Sequence, residues 1–325
     1  MKTVAKKILR ILAWTFGILV VVVLAVGGYV KIFLPSVGPA PDLKVEATPA
    51  RIERGRYLAT NVMGCVGCHT LNDPSKKYAR QTGAGGERWE LPMGVFYSAN
   101  ITPTGVGDYT DGELYRALTC GVTKDGRALF PIMPYDLIGQ CDPEDVKSLI
   151  AYMRTLAPAG EKWPEPDLKF PFNLVVNTIP ARAQPKPKPS PEQEIAYGEY
   201  LVNAGVCTHC HTPRETDLPH DSVFLAGGND FDLHNGKIVR SANITPHPTS
   251  GIGKWTKEYF ISRFKACDSL SYEQIKAMNT VMPWSIFSGM TDQDLGAIYA
   301  YLRTLPPVNK PIQKYPEVNA IAGGN

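Results

Sequence analysis

The sequence predicts an all-α protein in which one N-terminal transmembrane helix precedes two tandem copies of a small helical domain. Three observations support this prediction. A long uncharged apolar run lies near the N-terminus, one set of motifs occurs twice in the same order, and the alternating apolar–polar pattern of strands is nearly absent. The length of 325 residues suits about two domains.

The apolar run covers residues 11–30 without a charge. As a helix it would be about 30 Å long, which matches the hydrocarbon core of a bilayer. A cleaved signal peptide is the alternative, but its apolar region would be unusually long, and no small-residue cleavage pattern precedes Lys31. We therefore predict an uncleaved anchor over 1–34, in contact with membrane lipid.

Charge predicts the orientation of this anchor. Four basic residues precede the apolar run, which favours a cytoplasmic N-terminus in a bacterial inner membrane, with the remainder periplasmic. Without them, 30 of the 34 basic residues remain against 31 acidic ones, so the body is near neutral and lacks a nucleic-acid footprint. The four are Lys2, Lys6, Lys7 and Arg10.

The internal repeat defines the domains. Several blocks recur in the same order at offsets of 142 to 149 residues, which indicates one duplicated domain. We predict domains over 48–157 and 190–308, a proline-rich linker over 158–189 and a tail over 309–325. The matching blocks are 55–58 with 198–201, 98–103 with 241–246, 133–135 with 282–284, and 145–156 with 294–305.

The linker ends in alternating prolines over 185–191, which favours an extended, semi-rigid spacer. The stretch 170–174, Phe-Pro-Phe-Asn-Leu, is more apolar, and we expect it to pack along the first domain.

Each copy is predicted to open and close with a helix. Thr48-Pro49 and Ser190-Pro191 are typical of an N-cap followed by proline, and Gln193 would complete a capping box with Ser190. The closing helices begin after Asp142 and Thr291 and carry apolar residues at helical spacing. These stripes are Val146, Leu149, Ile150 and Met153, then Leu295, Ile298, Tyr299 and Leu302.

Four of the seven cysteines lie in two Cys-x-x-Cys-His motifs: Cys65-Val-Gly-Cys68-His69 and Cys207-Thr-His-Cys210-His211. Two thiols at this spacing can bond the two former vinyl groups of one porphyrin, while the adjacent histidine coordinates iron. A zinc site would need further ligands, and the first copy has no other histidine. The motifs therefore predict two covalently bound c-type haems.

The second axial ligand of each iron is predicted to be Met133 in the first copy and Met282 in the second. They occupy matching places in the repeat, each in a Met-Pro-aromatic segment before the closing helix, and a His/Met pair is common in electron-transfer cytochromes. The rival ligands are Met290 in the second copy and, less favoured, Met63 and Met93 in the first.

Three cysteines lie outside the motifs. Cys120 and Cys141 could form a disulfide in an oxidising compartment, while Cys267 has no evident partner and is expected to be buried and inert. His209 lies between two motif cysteines and should point away from iron. The default interpretation of the other histidines of the second copy is surface exposure: His220, His234 and His247.

Together these motifs resemble class I cytochromes c. The resemblance implies that Gly55 and Gly198 mark close crossings of the first and last helices, against Tyr152 and Tyr301. The Ser-Ala-Asn-Ile-Thr-Pro blocks and the segment 170–173 also resemble cytochrome subunits of bacterial membrane-bound alcohol and aldehyde dehydrogenases. Those subunits usually carry three haem motifs and a different anchor arrangement. We interpret the repeated Ser-Ala-Asn-Ile-Thr-Pro block as a turn that packs beside the haem rather than as a substrate site.

The predicted function is electron transfer, with no catalytic residue. Electrons would arrive from a dehydrogenase or a quinol-oxidising complex and leave to an oxidase or a soluble cytochrome. The alternative is a dihaem enzyme of the peroxidase or thiosulfate-oxidising type. It would need an open haem iron, or one ligated by a cysteine such as Cys120 or Cys267.

Overall fold

The computed structural model describes residues 2–70, 82–214, 216–233 and 236–316. Its first helix, α1 (Lys2–Phe33), includes the predicted anchor, and Val4–Phe33 is the one described helix long and apolar enough to cross a membrane. The end of the predicted tail, 317–325, and His234 lie outside the described residues.

The first copy opens with α2 (Pro49–Tyr57), which continues as a π-helical turn over Leu58–Val62, and closes with α7 (Pro143–Met153). The side chain of Thr48 caps α2 and that of Asp142 caps α7, as predicted. The helices of this copy are α2 (Pro49–Tyr57), α3 (Cys65–Cys68), α4 (Pro103–Val106), α5 (Asp111–Cys120), α6 (Tyr135–Ile138) and α7 (Pro143–Met153).

After α8 (Phe172–Val175) in the linker, the second copy repeats this order with two differences. The described residues 247–254 form no helix equivalent to α4, and an additional helix, Tyr272–Ala277, precedes the counterpart of α6. Only half of the predicted capping box is present: Gln193 Oε1 accepts from the amide of Ser190 at 3.3 Å, as such a box requires. Ser190 is nevertheless not the N-cap, because α9 begins at Glu194, and this bond closes a turn before the helix. The helices are α9 (Glu194–Ala204), α10 (Cys207–His211), α11 (Lys257–Lys265), α12 (Tyr272–Ala277), α13 (Trp284–Phe287) and α14 (Asp292–Thr304).

The all-α prediction omitted two small sheets. One has the order β1-β2-β3 and the other pairs β4 with β5, all antiparallel. Each strand has only two to four residues, too short for an alternating pattern to be seen in the sequence. They are β1 (Arg88–Leu91), β2 (Gly94–Tyr97), β3 (Asp167–Leu168), β4 (Asp230–Asp232) and β5 (Ile238–Arg240).

The linker is more than a spacer. Its strand β3 joins the sheet of the first copy, and Trp163 Nε1 donates to the carbonyl of Ala84 at 2.7 Å. The helix α8 and the 3₁₀ turn Val176–Thr178 also pack against α1. The part of the linker that packs on the first copy is therefore 163–168, whereas the stretch 170–174, for which that packing was expected, contacts the anchor.

The first and last helices of each copy cross at a glycine. A Cβ on Gly55 of α2 would lie 1.8 Å from the carbonyl oxygen of Ser148 in α7, and one on Gly198 of α9 would lie 1.9 Å from that of Ala297 in α14. Each would also meet the Cβ of the expected tyrosine at 2.9 Å. Backbone contact therefore explains glycine inside both helices, despite its cost of about 1 kcal/mol in a helix.

The two copies exchange matching hydrogen bonds. Tyr57 donates to Asp294 at 2.6 Å, and its repeat counterpart Tyr200 donates to Asp145, the counterpart of Asp294, at 2.7 Å. Each tyrosine oxygen also accepts from the amide of the N-cap residue of the other copy's closing helix. This reciprocity is the pattern of a two-fold interface formed within one chain. One continuous cluster of buried apolar side chains includes residues of both copies.

Replacing Tyr200 by phenylalanine is expected to lower the free energy of unfolding by about 1.5–3 kcal/mol, the usual range for a hydrogen bond to a charged group. The lost donor serves the carboxylate of Asp145, which is buried between the copies. Thermal and chemical denaturation of the haem-loaded protein measure the effect. Tyr259→Phe is the matched control, since the side chain of Tyr259 is exposed.

This contribution should depend on pH. Burial raises the pKa of Asp145, but the bonds from Arg54 and Tyr200 outweigh it and hold the pKa below its usual 3.8. A depressed pKa in the folded state means that the stabilisation is present above the ordinary pKa and is lost as pH falls through the folded value. An unchanged stability difference between wild type and Asp145→Asn from pH 7 down to pH 2 would contradict the assignment.

Candidate functional site

The Cys-x-x-Cys segments form equivalent helical turns. Cys65 and Cys68 lie on α3, while Cys207 and Cys210 lie on α10. The preceding residue is left-handed in both copies: Gly64 has φ 66°, and Val206 has φ 57°. Glycine adopts this conformation freely, whereas a β-branched residue there is strained. The second copy therefore keeps the turn despite an unfavourable residue.

Each motif histidine is held by a distant backbone carbonyl. The Nδ1 atom of His69 lies 2.7 Å from the oxygen of Ala99, and that of His211 lies 2.7 Å from the oxygen of Ala242. Because a carbonyl only accepts, Nδ1 carries the proton and Nε2 keeps its lone pair for a metal. Burial also lowers the pKa of both histidines, which favours the neutral form that a metal requires.

These carbonyls belong to the repeated Ser-Ala-Asn-Ile-Thr-Pro block. In the first copy, Asn100 Oδ1 accepts from the amide and the hydroxyl of Thr102 at 2.9 and 2.6 Å, while its Nδ2 donates to the carbonyl of Ala159 at 2.6 Å. Asn243 makes the same bonds to Thr245 and donates to Val308 at 2.8 Å. The block thus fixes the carbonyl that orients the histidine.

Sequence reasoning missed this role, although the identity of the two blocks was visible. The signal was six identical residues at matching positions in copies that otherwise differ. An identical loop in two copies indicates a local constraint, but its histidine partner lies about 30 residues away in the chain.

Burial favours the protonated form of the motif thiols. Burial raises the pKa of Cys65 and of Cys207 to about 12. Zinc binds such groups only as thiolates, so a zinc site would have to release both protons. Among the described residues there is also no cluster of three or more Cys, His, Asp or Glu side chains that could hold a metal ion.

The predicted methionines occupy equivalent positions. Met133 and Met282 are half-buried against the apolar core, and the proline after each has nearly the same backbone angles, with φ −80° and ψ 51° or 60°. The rival Met290 is only 1% exposed within the core. Met63 and Met93 are also half-buried. The axial role of Met133 and Met282 stays a prediction.

The short helix after each predicted methionine, α6 or α13, packs on the opposite copy. Asn203 Nδ2 of α9 donates to the carbonyl of Leu137 at 3.0 Å, and His209, inside the second motif, lies 3.3 Å from the carboxylate of Asp136. In the other direction, the Ile286 side chain lies so close to Gly67, inside the first motif, that a Cβ there would be 2.5 Å from it. The two motif turns therefore lie on either side of one interface.

The remaining cysteines are free and buried. The disulfide that the sequence allowed between Cys120 and Cys141 is not formed. Cys141 instead points toward the carbonyl of Leu137 at 3.5 Å and accepts from Asn203 at 3.7 Å. Cys267 is buried, as expected.

The donor set is suited to a c-type haem. Each turn presents two thiols at the attachment spacing beside an imidazole whose Nε2 is free to ligate iron. Two buried polar atoms in the first copy, Tyr135 Oη and Arg116 Nε, have no hydrogen-bond partner among the described residues. Both belong to donor groups, which haem propionates can accept from.

Comparison with known proteins places the chain in a family. The family model described as cytochrome c matches residues 195–306. The chain is 32% identical over 256 residues to a diheme cytochrome c-type protein of Cereibacter sphaeroides, covering 75% of this chain and 83% of the relative.

Two further relatives are subunits of dehydrogenases. The cytochrome c subunit of the quinone alcohol dehydrogenase of Komagataeibacter europaeus is 33% identical, covering 86% of this chain and 62% of the relative. The fructose dehydrogenase cytochrome subunit of Gluconobacter japonicus is 36% identical, with 80% and 55% covered. The chain thus spans about three fifths of the length of these subunits. It belongs to the cytochrome c family, whose domain binds c-type haem covalently.

Proposed function

We propose that this chain is a membrane-anchored dihaem electron-transfer protein with one haem in each of two cytochrome c domains. The supporting observation is the equivalence of the two sites. Each combines a Cys-x-x-Cys-His turn with the same histidine-to-carbonyl bond of 2.7 Å and the same Met-Pro geometry.

The residues of each site would bind the haem in different ways. Cys65 and Cys68, or Cys207 and Cys210, would hold the porphyrin, and His69 with Met133, or His211 with Met282, would ligate its iron. The bound haem would supply a one-electron couple. Ligation by both methionine and histidine would raise the reduction potential and leave no coordination position for a substrate.

The interface supports transfer between the haems. The segment after each predicted methionine contacts the motif turn of the other copy. These contacts, with the tyrosine–aspartate pairs, hold both attachment turns at one interface. An electron that enters one domain would therefore cross to the other without a docking step.

The names of the relatives support a dehydrogenase as donor. A quinol-oxidising complex is the other candidate donor, and an oxidase or a soluble cytochrome the candidate acceptor. Helix α1 would anchor the chain in a bacterial inner membrane with the haem domains periplasmic. Anchoring confines the protein beside membrane partners and raises its effective concentration there.

The test uses the full-length protein purified in detergent. A haem assay should give two c-type haems per chain, falling to one in Cys207→Ser/Cys210→Ser. Spectra should be low-spin, carry the far-red Met–iron band when oxidised, and be unaffected by carbon monoxide. One haem per chain would refute the dihaem proposal. Rapid carbon monoxide binding by the wild type would instead favour the dihaem enzyme.

A further inference from the structure

Exposed apolar side chains cluster in one short part of the linker. Outside α1, ten large hydrophobic residues are exposed among the described residues, and four of them lie within ten positions. The four are Phe170, Phe172, Val175 and Ile179, with exposures of 78%, 40%, 46% and 39%. We call residues 170–179 the apolar segment.

The apolar segment has a buried side and an exposed side. Residues 172–178 are helical, first as α8 and then as the 3₁₀ turn. Phe172, Val175 and Ile179, in or next to this helical run, are 40%, 46% and 39% exposed. Val176, by contrast, is buried at 6% exposure. The segment therefore has an inner face in the protein and an outer apolar face.

The apolar segment lies beside the end of the anchor. Both parts of the helical run pack against α1. Within α1 the only half-buried residues from position 4 onward are Gly27, Gly28 and Val30, in its last two turns. Those turns end the uncharged run of 11–30, where a spanning helix would leave the hydrocarbon core.

Basic residues lie near the end of α1 and on both sides of the apolar segment. Lys31 lies in the last turn of α1, and Lys169 and Arg182 lie on either side of the apolar segment, all exposed. An apolar face between basic side chains is the arrangement of helices that lie in the membrane interface and attract anionic headgroups.

We propose that the apolar segment is a second membrane contact. It lies in the interfacial layer of the leaflet that faces the haem domains. Its occupant is phospholipid, because the segment packs against α1 at the turns where that helix would leave the hydrocarbon core. This inference rests on the proposed crossing of the membrane by α1. Two contacts would prevent the haem domains from swinging freely on a single helix.

The test is photolabelling of the full-length protein in vesicles of phosphatidylcholine and phosphatidylglycerol. One phospholipid probe carries a diazirine near the headgroup, and another carries it at the end of the acyl chain. Mass spectrometry of the peptides should find the shallow probe on both α1 and 170–179, and the deep probe on α1 alone. The peptide containing Leu218, which is exposed on the second copy, serves as the unlabelled control.

The variant Phe172→Ser/Val175→Ser/Ile179→Ser should lose most of the shallow labelling at 170–179 while labelling of α1 stays unchanged. These side chains are exposed, so haem content should also be unchanged. Labelling of α1 without labelling of 170–179 would overturn the proposal alone. Absence of labelling on α1 as well would overturn the membrane anchor and this proposal with it.

Discussion

Replacing Gly198 by alanine is expected to separate α9 from α14 and to reduce the yield of haem-loaded second domain. The new Cβ would lie 1.9 Å from the carbonyl oxygen of Ala297 and 2.9 Å from the Cβ of Tyr301. Neither atom belongs to a flexible side-chain end, so the helices themselves must move apart. Overpacking of this kind costs about 1–3 kcal/mol and occasionally more. Gly55→Ala should have the same effect on the first domain, where the obstacle is the carbonyl of Ser148.

The measurement is the thermal midpoint together with the number of haems per chain. Gly296→Ala in α14 is the matched control, because its Cβ would meet only the end of the Lys257 side chain, which can rotate away. Helix propensity then predicts a neutral or slightly stabilising change, up to about 1 kcal/mol. Equal midpoints for Gly198→Ala and Gly296→Ala would contradict the close crossing.

Features with a local signal were predictable from the sequence. The caps Thr48, Asp142 and Thr291 and the apolar stripes of α7 and α14 lie where the sequence predicts them. A cap and a stripe depend on residues within one or two turns. The glycine crossings came from the family resemblance, since nothing near Gly55 in the sequence indicates which helix it meets.

Features that join distant residues were not predictable. Tyr57 and Asp294 are 237 positions apart, and His69 and Ala99 are 30 apart. Their pairing depends on how complete domains pack, and a local sequence pattern does not indicate which distant residues will meet. The capping box at Ser190 formed only in part for a related reason, because its side-chain bond can close a turn as well as start a helix.

The proposed methionine ligands give the second large expected effect. Met282→Leu should remove about half of the far-red Met–iron band and open one haem to carbon monoxide, and Met133→Leu should do the same at the other haem. Leucine keeps the volume of methionine but offers no sulfur ligand. The reduction potential of the affected haem should fall, within the roughly 0.8 V that axial ligands span.

Met290→Leu is the matched control for the second domain. Met290 is buried in the core, where an exchange for leucine usually costs less than about 1.5 kcal/mol. We expect it to keep the full band and both potentials. If Met290→Leu lost half of the band while Met282→Leu kept all of it, the ligand would be Met290, and the matching of Met282 with Met133 would reflect packing alone. Complete loss of the band in Met133→Leu, with no loss in either second-domain variant, would mean that the second haem lacks a methionine ligand. That result would favour the dihaem enzyme.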